Sequence, residues 1–235
     1  MNKKAASCQN TAEVRTKVKY KLGIPRIDKS LGGIPGGTNL LIKTESFAGK
    51  DRLVEETVSE GFESGEGTVY VTTEDPEERV LEEYPEDESF GVVDCVTEGQ
   101  ETEGSDGTGS GSVKYAGSPS DMTSIGVKVS DFLSDYRDES EIEQNRVLLD
   151  SVSTLLMYSN LETVFRFLHV FTGRIRSIDG VGVFVLDAGM HDEKVYTTLR
   201  QLFDGVVEVE DYEDGVTRVR VVGLTDEPTE WVSLE

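Results

Sequence analysis

The chain has few cysteines, a shortage of positive charge and no long apolar run. Its 235 residues contain only Cys8 and Cys95, which lie far apart and belong to no Cys/His cluster. This argues against a disulfide framework or structural zinc site and for a reducing compartment. Because no apolar stretch could span a bilayer and the N-terminus lacks a signal-peptide core, we expect a cytoplasmic protein without a membrane partner.

Acidic residues dominate the charge. The sequence has 23 Lys and Arg against 46 Asp and Glu, a formal net charge of −23. Such a surface repels phosphate backbones, so nucleic acid is disfavoured as a partner, including DNA bound in the manner of a recombinase. Repulsion among carboxylates is screened at high salt, which favours a halophilic origin, with an acidic mesophilic protein as the alternative.

Three segments fall outside the periodic part of the chain. Residues 1–16 are polar and predict a mobile arm, residues 98–112 are glycine- and acid-rich and predict a disordered loop, and residues 225–235 predict an acidic tail. The N-terminal end is locally basic, which suits either a solvated arm or docking on an acidic surface. Its basic residues are Lys3, Lys4, Arg15, Lys17, Lys19 and Lys21.

Residues 17–224 form a single domain in which apolar strands alternate with amphipathic helices. This order predicts an α/β fold with a twisted, mostly parallel sheet and helices on both faces. Residues 205–209 and 217–222 flank DYEDG and predict a C-terminal antiparallel hairpin. Ligands of such sheets bind beyond the carboxyl ends of the strands. Those ends are residues 43–50, Glu74–Asp75, Asp150–Ser151 and residues 187–191.

A partial phosphate-binding loop stands at the first of these ends. Residues 40–51, LLIKTESFAGKD, keep Gly49-Lys50 of the pattern G-x-x-x-x-G-K-[ST]. Thr44 occupies the first glycine position, and Asp51 replaces the hydroxyl residue that holds Mg²⁺. The spacing therefore fits a nucleotide site better than the residue types do.

Four further stretches resemble one known family. GIPRID with LGGIP (residues 23–35), VYVTTED (residues 69–75), VLLDS (residues 147–151) and FDGVV (residues 203–207) are similar to motifs of RecA-like ATPases of the KaiC, RadA and GvpD type, in particular archaeal members. With the acidic composition, the resemblance suggests a haloarchaeal member. It implies a RecA-like fold and an ancestral site for ATP and Mg²⁺.

The resemblance assigns a candidate phosphate loop that departs from the family. Glycines of the family are replaced by Thr44 and Phe47, although backbone N–H groups curl around phosphate best without a Cβ. Glu45 adds negative charge beside the anion position, which costs about 1 kcal/mol at 4 Å even in water. The candidate residues are Thr44, Glu45, Ser46, Phe47, Ala48, Gly49, Lys50 and Asp51.

The same resemblance offers Glu74 as the base that activates water and Asp150, with Asp51, as ligands of Mg²⁺. Each has a simpler interpretation. Glu74-Asp75 before a proline is typical of a helix start, and an aspartate at a strand end is common in this fold. Lys50 either holds phosphate or forms a structural ion pair near Asp51 and Glu74.

Two other features concern partners and metals. The family often ends its last strand with K-x-R, whose basic side chains are donated to a neighbouring subunit. Here Leu224 and Asp226 stand at those positions. Arg218 and Arg220 lie upstream, and the simpler interpretation of both is that they are surface charges on an edge strand. A metal site formed by Asp187, His191 and Asp192 near Asp150 is the weaker alternative to helix capping, which the His-Asp pair also suits.

The leading hypothesis is a degenerate RecA/KaiC-like P-loop domain that acts as a regulatory or scaffold protein. It would work through a protein partner or self-association, with weak or absent ATP hydrolysis, because the two loop glycines, the Mg²⁺ hydroxyl and the trans-acting residues all differ together. The alternative is a slow Mg²⁺-dependent ATPase or ATP-gated switch, in which Lys50 holds phosphate, Asp51 and Asp150 hold Mg²⁺ and Glu74 is the catalytic base.

Overall fold

The computed structural model describes residues 18–45, 47–84, 87–97, 112–138, 140–212 and 216–234, without the side chains of Phe47 and Ala48. The predicted arm at residues 1–16 and residues 98–111 of the predicted acidic loop lie outside this part of the chain. Among the described residues, no helix is long and apolar enough to cross a membrane.

The first half of the chain alternates short strands with helices. Its elements are β1 (Lys19–Tyr20), α1 (Pro25–Leu31), β2 (Ile34–Pro35), β3 (Asn39–Thr44), α2 (Phe47–Glu63), β4 (Gly67–Thr72), α3 (Glu77–Glu83), β5 (Phe90–Asp94) and β6 (Val113–Tyr115). The sequence predicts a helix with Pro76 in its first turn, whereas α3 begins at Glu77 and Pro76 is its N-cap residue.

The second half carries the longest helices and the antiparallel strands. Its elements are α4 (Met122–Asp138), β7 (Asn145–Asp150), α5 (Val152–Tyr158), α6 (Leu161–Ser177), β8 (Val181–Asp187), a 3₁₀ turn (Ala188–Met190), α7 (Glu193–Arg200), β9 (Gly205–Asp211), β10 (Thr217–Val222) and β11 (Val232–Ser233).

Within the described ranges, nine strands form one sheet in the order β11-β10-β9-β3-β8-β7-β4-β5-β6. The pairs from β9 to β6 are parallel, and the hairpin of β9 and β10 together with β11 is antiparallel. The predicted mostly parallel sheet with a C-terminal hairpin is thus confirmed. Strands β3, β8, β7 and β4 are neighbours, so the four strand ends named from the sequence lie side by side.

Apolar side chains pack on both faces of this sheet, as its near-continuous apolar strands require. One core contains side chains of α4, α5, α6 and α7, and the other contains those of α1, α2 and α3. Alternate residues of a strand serve opposite faces, so Leu41 joins the first core while Leu40 and Ile42 join the second.

Three local predictions need correction. The sequence VVDCVT predicts a short strand at residues 92–97. The strand is instead β5 at Phe90–Asp94, because Asp94 turns the chain by accepting hydrogen bonds from the Val96 and Thr97 N–H groups. The end of the chain was expected to be weakly ordered, but β11 pairs with β10 and buries Val232. Strand β10 is therefore not an edge strand, and Arg220 forms an ion pair with Glu208 across the hairpin.

Two residues of the GIPRID stretch, Gly23 and Asp28, have packing and hydrogen-bonding roles in the fold. Gly23 has φ +85°, and a Cβ there would lie 2.3 Å from the carbonyl oxygen of Glu56 in α2. Asp28 is buried, and its carboxylate accepts a hydrogen bond of 2.7 Å from the Leu22 N–H. These contacts hold α1 and β1 against α2, at the amino ends of the strands.

Candidate functional site

The candidate phosphate loop is a short connection. Strand β3 ends at the buried Thr44, and α2 already begins at Phe47, so two residues join them. Glu45 is exposed, while Ser46 and the side chains of Phe47 and Ala48 lie outside the described residues. Gly49 and Lys50 therefore belong to the first turn of a helix, with Phe47 and Ala48 in that helix rather than in a loop.

Gly49 is closely packed against the C-terminal hairpin. A Cβ at this position would lie 2.7 Å from Thr217 Cγ2 and 2.8 Å from Val209 Cγ1. Both distances are shorter than ordinary van der Waals contacts, so no larger residue fits without a shift of the hairpin. The retained glycine of the Gly-Lys pair has a packing role, independent of any phosphate.

Lys50 connects the two acids that the sequence singled out. Its ammonium lies 2.6 Å from Glu74 Oε2 and 3.0 Å from Asp150 Oδ1. The predicted structural ion pair is therefore present, but Asp150 replaces Asp51 as the second partner. Asp51 is exposed on α2, and its charge acts on Glu83 and Tyr84. Successive residues of a helix differ by about 100° in direction, which separates Asp51 from Lys50.

Several hydroxyl groups complete this network, which we call the Lys50 cluster: Lys50, Tyr70, Glu74, Asp150, Ser151 and Thr154. The Tyr70 hydroxyl donates to Asp150 Oδ2 at 3.1 Å. The Ser151 and Thr154 hydroxyls donate to Glu74 Oε1 at 2.9 and 3.1 Å. The sequence placed Ser151 at this edge of the sheet, but it gave no indication that Tyr70 of β4 and Thr154 of α5 join the network.

The charges in the cluster shift one another. Burial lowers the pKa of Lys50, but the attraction of Asp150 and Glu74 is stronger in sum and raises that pKa. Burial also raises the pKa of Glu74, and the hydrogen bond and charge of Lys50 outweigh it, so that the Glu74 pKa is lowered. For Asp150, burial dominates and raises the pKa in spite of Lys50. The cluster thus favours a charged lysine facing a charged Glu74.

Glu74 and Asp75 point to different partners. Glu74 enters the Lys50 cluster, whereas Asp75 pairs with Arg79 on α3 at 3.2 Å. The interpretation of Glu74 as part of a helix start is thus wrong for its side chain, because Pro76 is the N-cap of α3 and Glu74 turns towards α2. Of the two acids, only Glu74 contacts Lys50.

The proposed metal ligands do not assemble in this arrangement. The described residues contain no group of three or more His, Cys, Asp or Glu side chains that could hold a metal ion. The ammonium of Lys50 lies against Asp150, and Asp51 is directed elsewhere. Mg²⁺ ligation by Asp51 and Asp150 stays a prediction that requires Lys50 and the start of α2 to move.

The remaining candidates have local structural partners. His191 Nε2 lies 3.0 Å from the Ser153 hydroxyl, Asp187 accepts the Gly189 N–H, and Asp192 caps α7 by accepting the Val195 N–H. Leu224, at a position of the trans-acting pair, packs against Gly205 in the core. None of these side chains joins the Lys50 cluster.

Comparison with solved structures supports the fold. The crystal structure of the KaiC-like protein PH0186 from Pyrococcus horikoshii OT3 superimposes with a TM-score of 0.66 at 15% identity, covering 93% of this chain and 95% of that one. Because 610 chains of solved structures match, such likeness identifies a widespread fold and no activity. No curated protein matches the sequence.

The sequence itself matches one family over most of its length. The family is described as "Family of unknown function (DUF7504)", and the match spans residues 37–209, from the turn before β3 to the middle of β9. This range contains every member of the Lys50 cluster. On this match the chain belongs to that family of unknown function, with a KaiC-like version of the RecA fold.

Proposed function

We propose that this protein is a degenerate P-loop domain that regulates or assembles other proteins through direct contacts, with weak or absent ATP hydrolysis. The observation that carries the proposal is the Lys50 cluster. The lysine that would hold phosphate forms ion pairs with both the acid that would activate water and the acid that would hold Mg²⁺. A nucleotide would have to break two ion pairs of a buried lysine before its phosphates could replace them.

The shape of the loop supports the same proposal. A phosphate cradle needs several consecutive backbone N–H groups that converge on one point. Here two residues join β3 to α2, and Glu45 brings a carboxylate to the connection. The hairpin packs on Gly49, so the helix start has little freedom to unwind into a wider loop.

Nucleotide titration tests the proposal directly. Purified protein in low and in multimolar KCl is titrated with ATP and Mg²⁺ by calorimetry, and phosphate release is followed in parallel. We expect neither binding heat nor turnover above that of a Lys50→Met variant. Hydrolysis that is lost in both Lys50→Met and Glu74→Gln, yet kept in Arg52→Gln on the exposed side of the same helix, would refute the proposal.

A slow ATPase or ATP-gated switch is the second candidate, and one observation favours it. Lys50, Glu74 and Asp150 come from three separate elements and still converge at the carboxyl edge of the sheet, where ligands of this fold bind. If the cluster is a closed state, releasing Lys50 should open it. ATP affinity should then increase in Glu74→Gln and stay unchanged in Asp75→Asn, which contacts Arg79 instead. Absence of binding in all variants would rule the switch out.

A further inference from the structure

Positive charge is concentrated at one end of this acidic chain. Residues 1–33 contain eight of the 23 Lys and Arg residues and only two of the 46 Asp and Glu residues. The other residues carry 15 basic against 44 acidic side chains, a net charge of −29. A separation this large creates a local field of opposite sign to that of the rest of the molecule.

The described part of this end folds into a small unit, residues 18–35, which we call the basic module. It consists of the antiparallel pair β1 and β2 with α1 between them. Its exposed charged side chains are all positive: Lys19, Lys21, Arg26 and Lys29. Its one acid, Asp28, is 9% exposed, and its carboxylate accepts the Leu22 N–H.

Two of these four cations have partners within the protein. Lys21 pairs with Glu60 of α2 at 3.0 Å, and Lys19 donates to the carbonyl oxygen of Gly32 at 2.7 Å. For Arg26 and Lys29, no carboxylate within the described ranges lies at ion-pair distance. The Lys19 contact satisfies only one of three ammonium hydrogens and leaves the charge uncompensated. Three positive groups are therefore available to an external partner.

The module also borders a cavity of about 650 Å³. Its charged lining residues are Lys19, Lys21, Lys29 and Asp28 of the module and Glu60 and Glu63 of α2. Lys21 and Glu60 form an ion pair within this lining. At the rim, Gly32 has φ +66° and open space where a Cβ would be, so the backbone there is accessible.

We propose that the basic module docks a short acidic segment of a partner protein. Opposite charges steer such an encounter, and the three cations Lys19, Arg26 and Lys29 are exposed on the module. The length of the module limits the partner, because α1 spans only about 10 Å. A long polyanion would extend beyond the module over the acidic remainder of the surface and be repelled there. This distinguishes an acidic peptide from a nucleic acid.

A peptide-binding experiment tests the proposal. The probe is a fluorescent polyglutamate of about ten residues, long enough to cross the module in extended form. Fluorescence anisotropy is measured at several KCl concentrations. Binding should weaken with salt, and the triple variant Lys19→Gln, Arg26→Gln, Lys29→Gln should bind at least about tenfold more weakly. Lys21 is kept because it pairs with Glu60.

A control variant tests whether peptide binding depends on the charge of the basic module or on the net charge of the whole protein. Arg166→Gln, Arg174→Gln and Lys194→Gln lower the net charge equally at exposed positions on α6 and α7 and should leave the affinity within about twofold. Equal binding by the wild type and the module variant would overturn the proposal, and so would tighter binding of a single-stranded oligonucleotide of similar charge.

This inference rests on the proposed function in one respect only, namely that the protein acts through contacts with other proteins. Because this assay contains no nucleotide, its failure leaves the ATP titrations unaffected, and the reverse also holds.

Discussion

Charged side chains are buried at both ends of β7, but their ion-pair partners are arranged differently at the two ends. At its amino end, Arg146 is fully buried and pairs with Glu66, which is 1% exposed, through two nitrogens at 2.8 and 3.1 Å. At its carboxyl end, Asp150 pairs with Lys50, which also binds Glu74. The first site matches one acid with one base, whereas the second has a surplus acid.

Access to solvent follows the same division. The Arg146–Glu66 pair is sealed by β1 and α2, and its guanidinium also donates to the Lys21 carbonyl oxygen. In the Lys50 cluster the side chain of Glu74 remains 37% exposed. A sealed, matched pair serves the fold, while an open cluster with unmatched charge at the ligand-binding edge is typical of a functional or formerly functional site. We therefore interpret the Arg146–Glu66 pair as structural and the Lys50 cluster as the candidate for a functional or formerly functional site.

Breaking the sealed pair should have the largest effect on stability. Arg146→Met leaves Glu66 charged and buried without a partner, which we expect to lower the free energy of unfolding by about 3–5 kcal/mol. Burial already raises the pKa of Glu66, so the variant should take up a proton there and recover part of the loss below neutral pH. Denaturant titration at several pH values measures both effects.

The double variant Arg146→Met, Glu66→Met is the control for this prediction. It removes both charges and fills the site with apolar atoms, so it should be more stable than the single variant. A single variant that lost less than about 1 kcal/mol would mean that the pair contributes little and that the contrast between the two ends of β7 is unfounded.

Removing Lys50 should have a smaller effect, of about 2–3 kcal/mol, because Glu74 can turn to solvent once its partner is gone. Asp150 cannot, and the loss arises mainly from its uncompensated burial. Adding Asp150→Asn to Lys50→Met should therefore restore more stability than adding Glu74→Gln. If the two second substitutions were equivalent in denaturant titration, the difference in burial between the two acids would not govern the cluster.

Glycines at the two ends of α2 extend the comparison. Gly61 packs against Thr68 Oγ1 beside Arg146, and Gly49 packs against the hairpin beside Lys50. Gly49→Ala should lower the free energy of unfolding by about 1 kcal/mol, since the cost of overpacking exceeds the gain in helix propensity. Gly173→Ala on α6, with nothing within 4 Å of its Cβ, should instead raise stability by about 0.5–1 kcal/mol. Equal effects in thermal unfolding would show that Gly49 is not held by packing.

The fold was predictable because its strands and helices leave clear periodic patterns. The apolar run of β8 and the amphipathic pattern of α6 reveal buried elements directly, whereas β6 and β11 have only three and two residues and no such pattern. They form because neighbouring strands offer unpaired N–H and C=O groups, which is a property of the assembled sheet.

The site was predictable in position and only partly in its contacts. The sequence placed Lys50, Glu74 and Asp150 at one edge, and these three do meet. It paired Lys50 with its neighbour Asp51 because adjacency in sequence is visible and the direction of a helical side chain is not. The Arg146–Glu66 pair was missed for a related reason, since its members are 80 residues apart and an arginine before an apolar strand resembles a flanking surface charge.

The smallest expected effect lies in the alkaline dependence of stability. The attraction of Asp150 and Glu74 outweighs burial and raises the pKa of Lys50 above its ordinary 10.5. A raised pKa means that the folded state holds this proton more tightly, so the contribution of Lys50 is complete below pH 10.5 and declines as the pH rises towards the folded value. The difference in unfolding free energy between wild type and Lys50→Met should be constant from neutral pH to about pH 10 and then narrow. Tyrosines also titrate there, but most of their contribution is common to both proteins and cancels in the difference. A difference that widened with alkaline pH would mean that burial, and not the two carboxylates, decides the charge of Lys50.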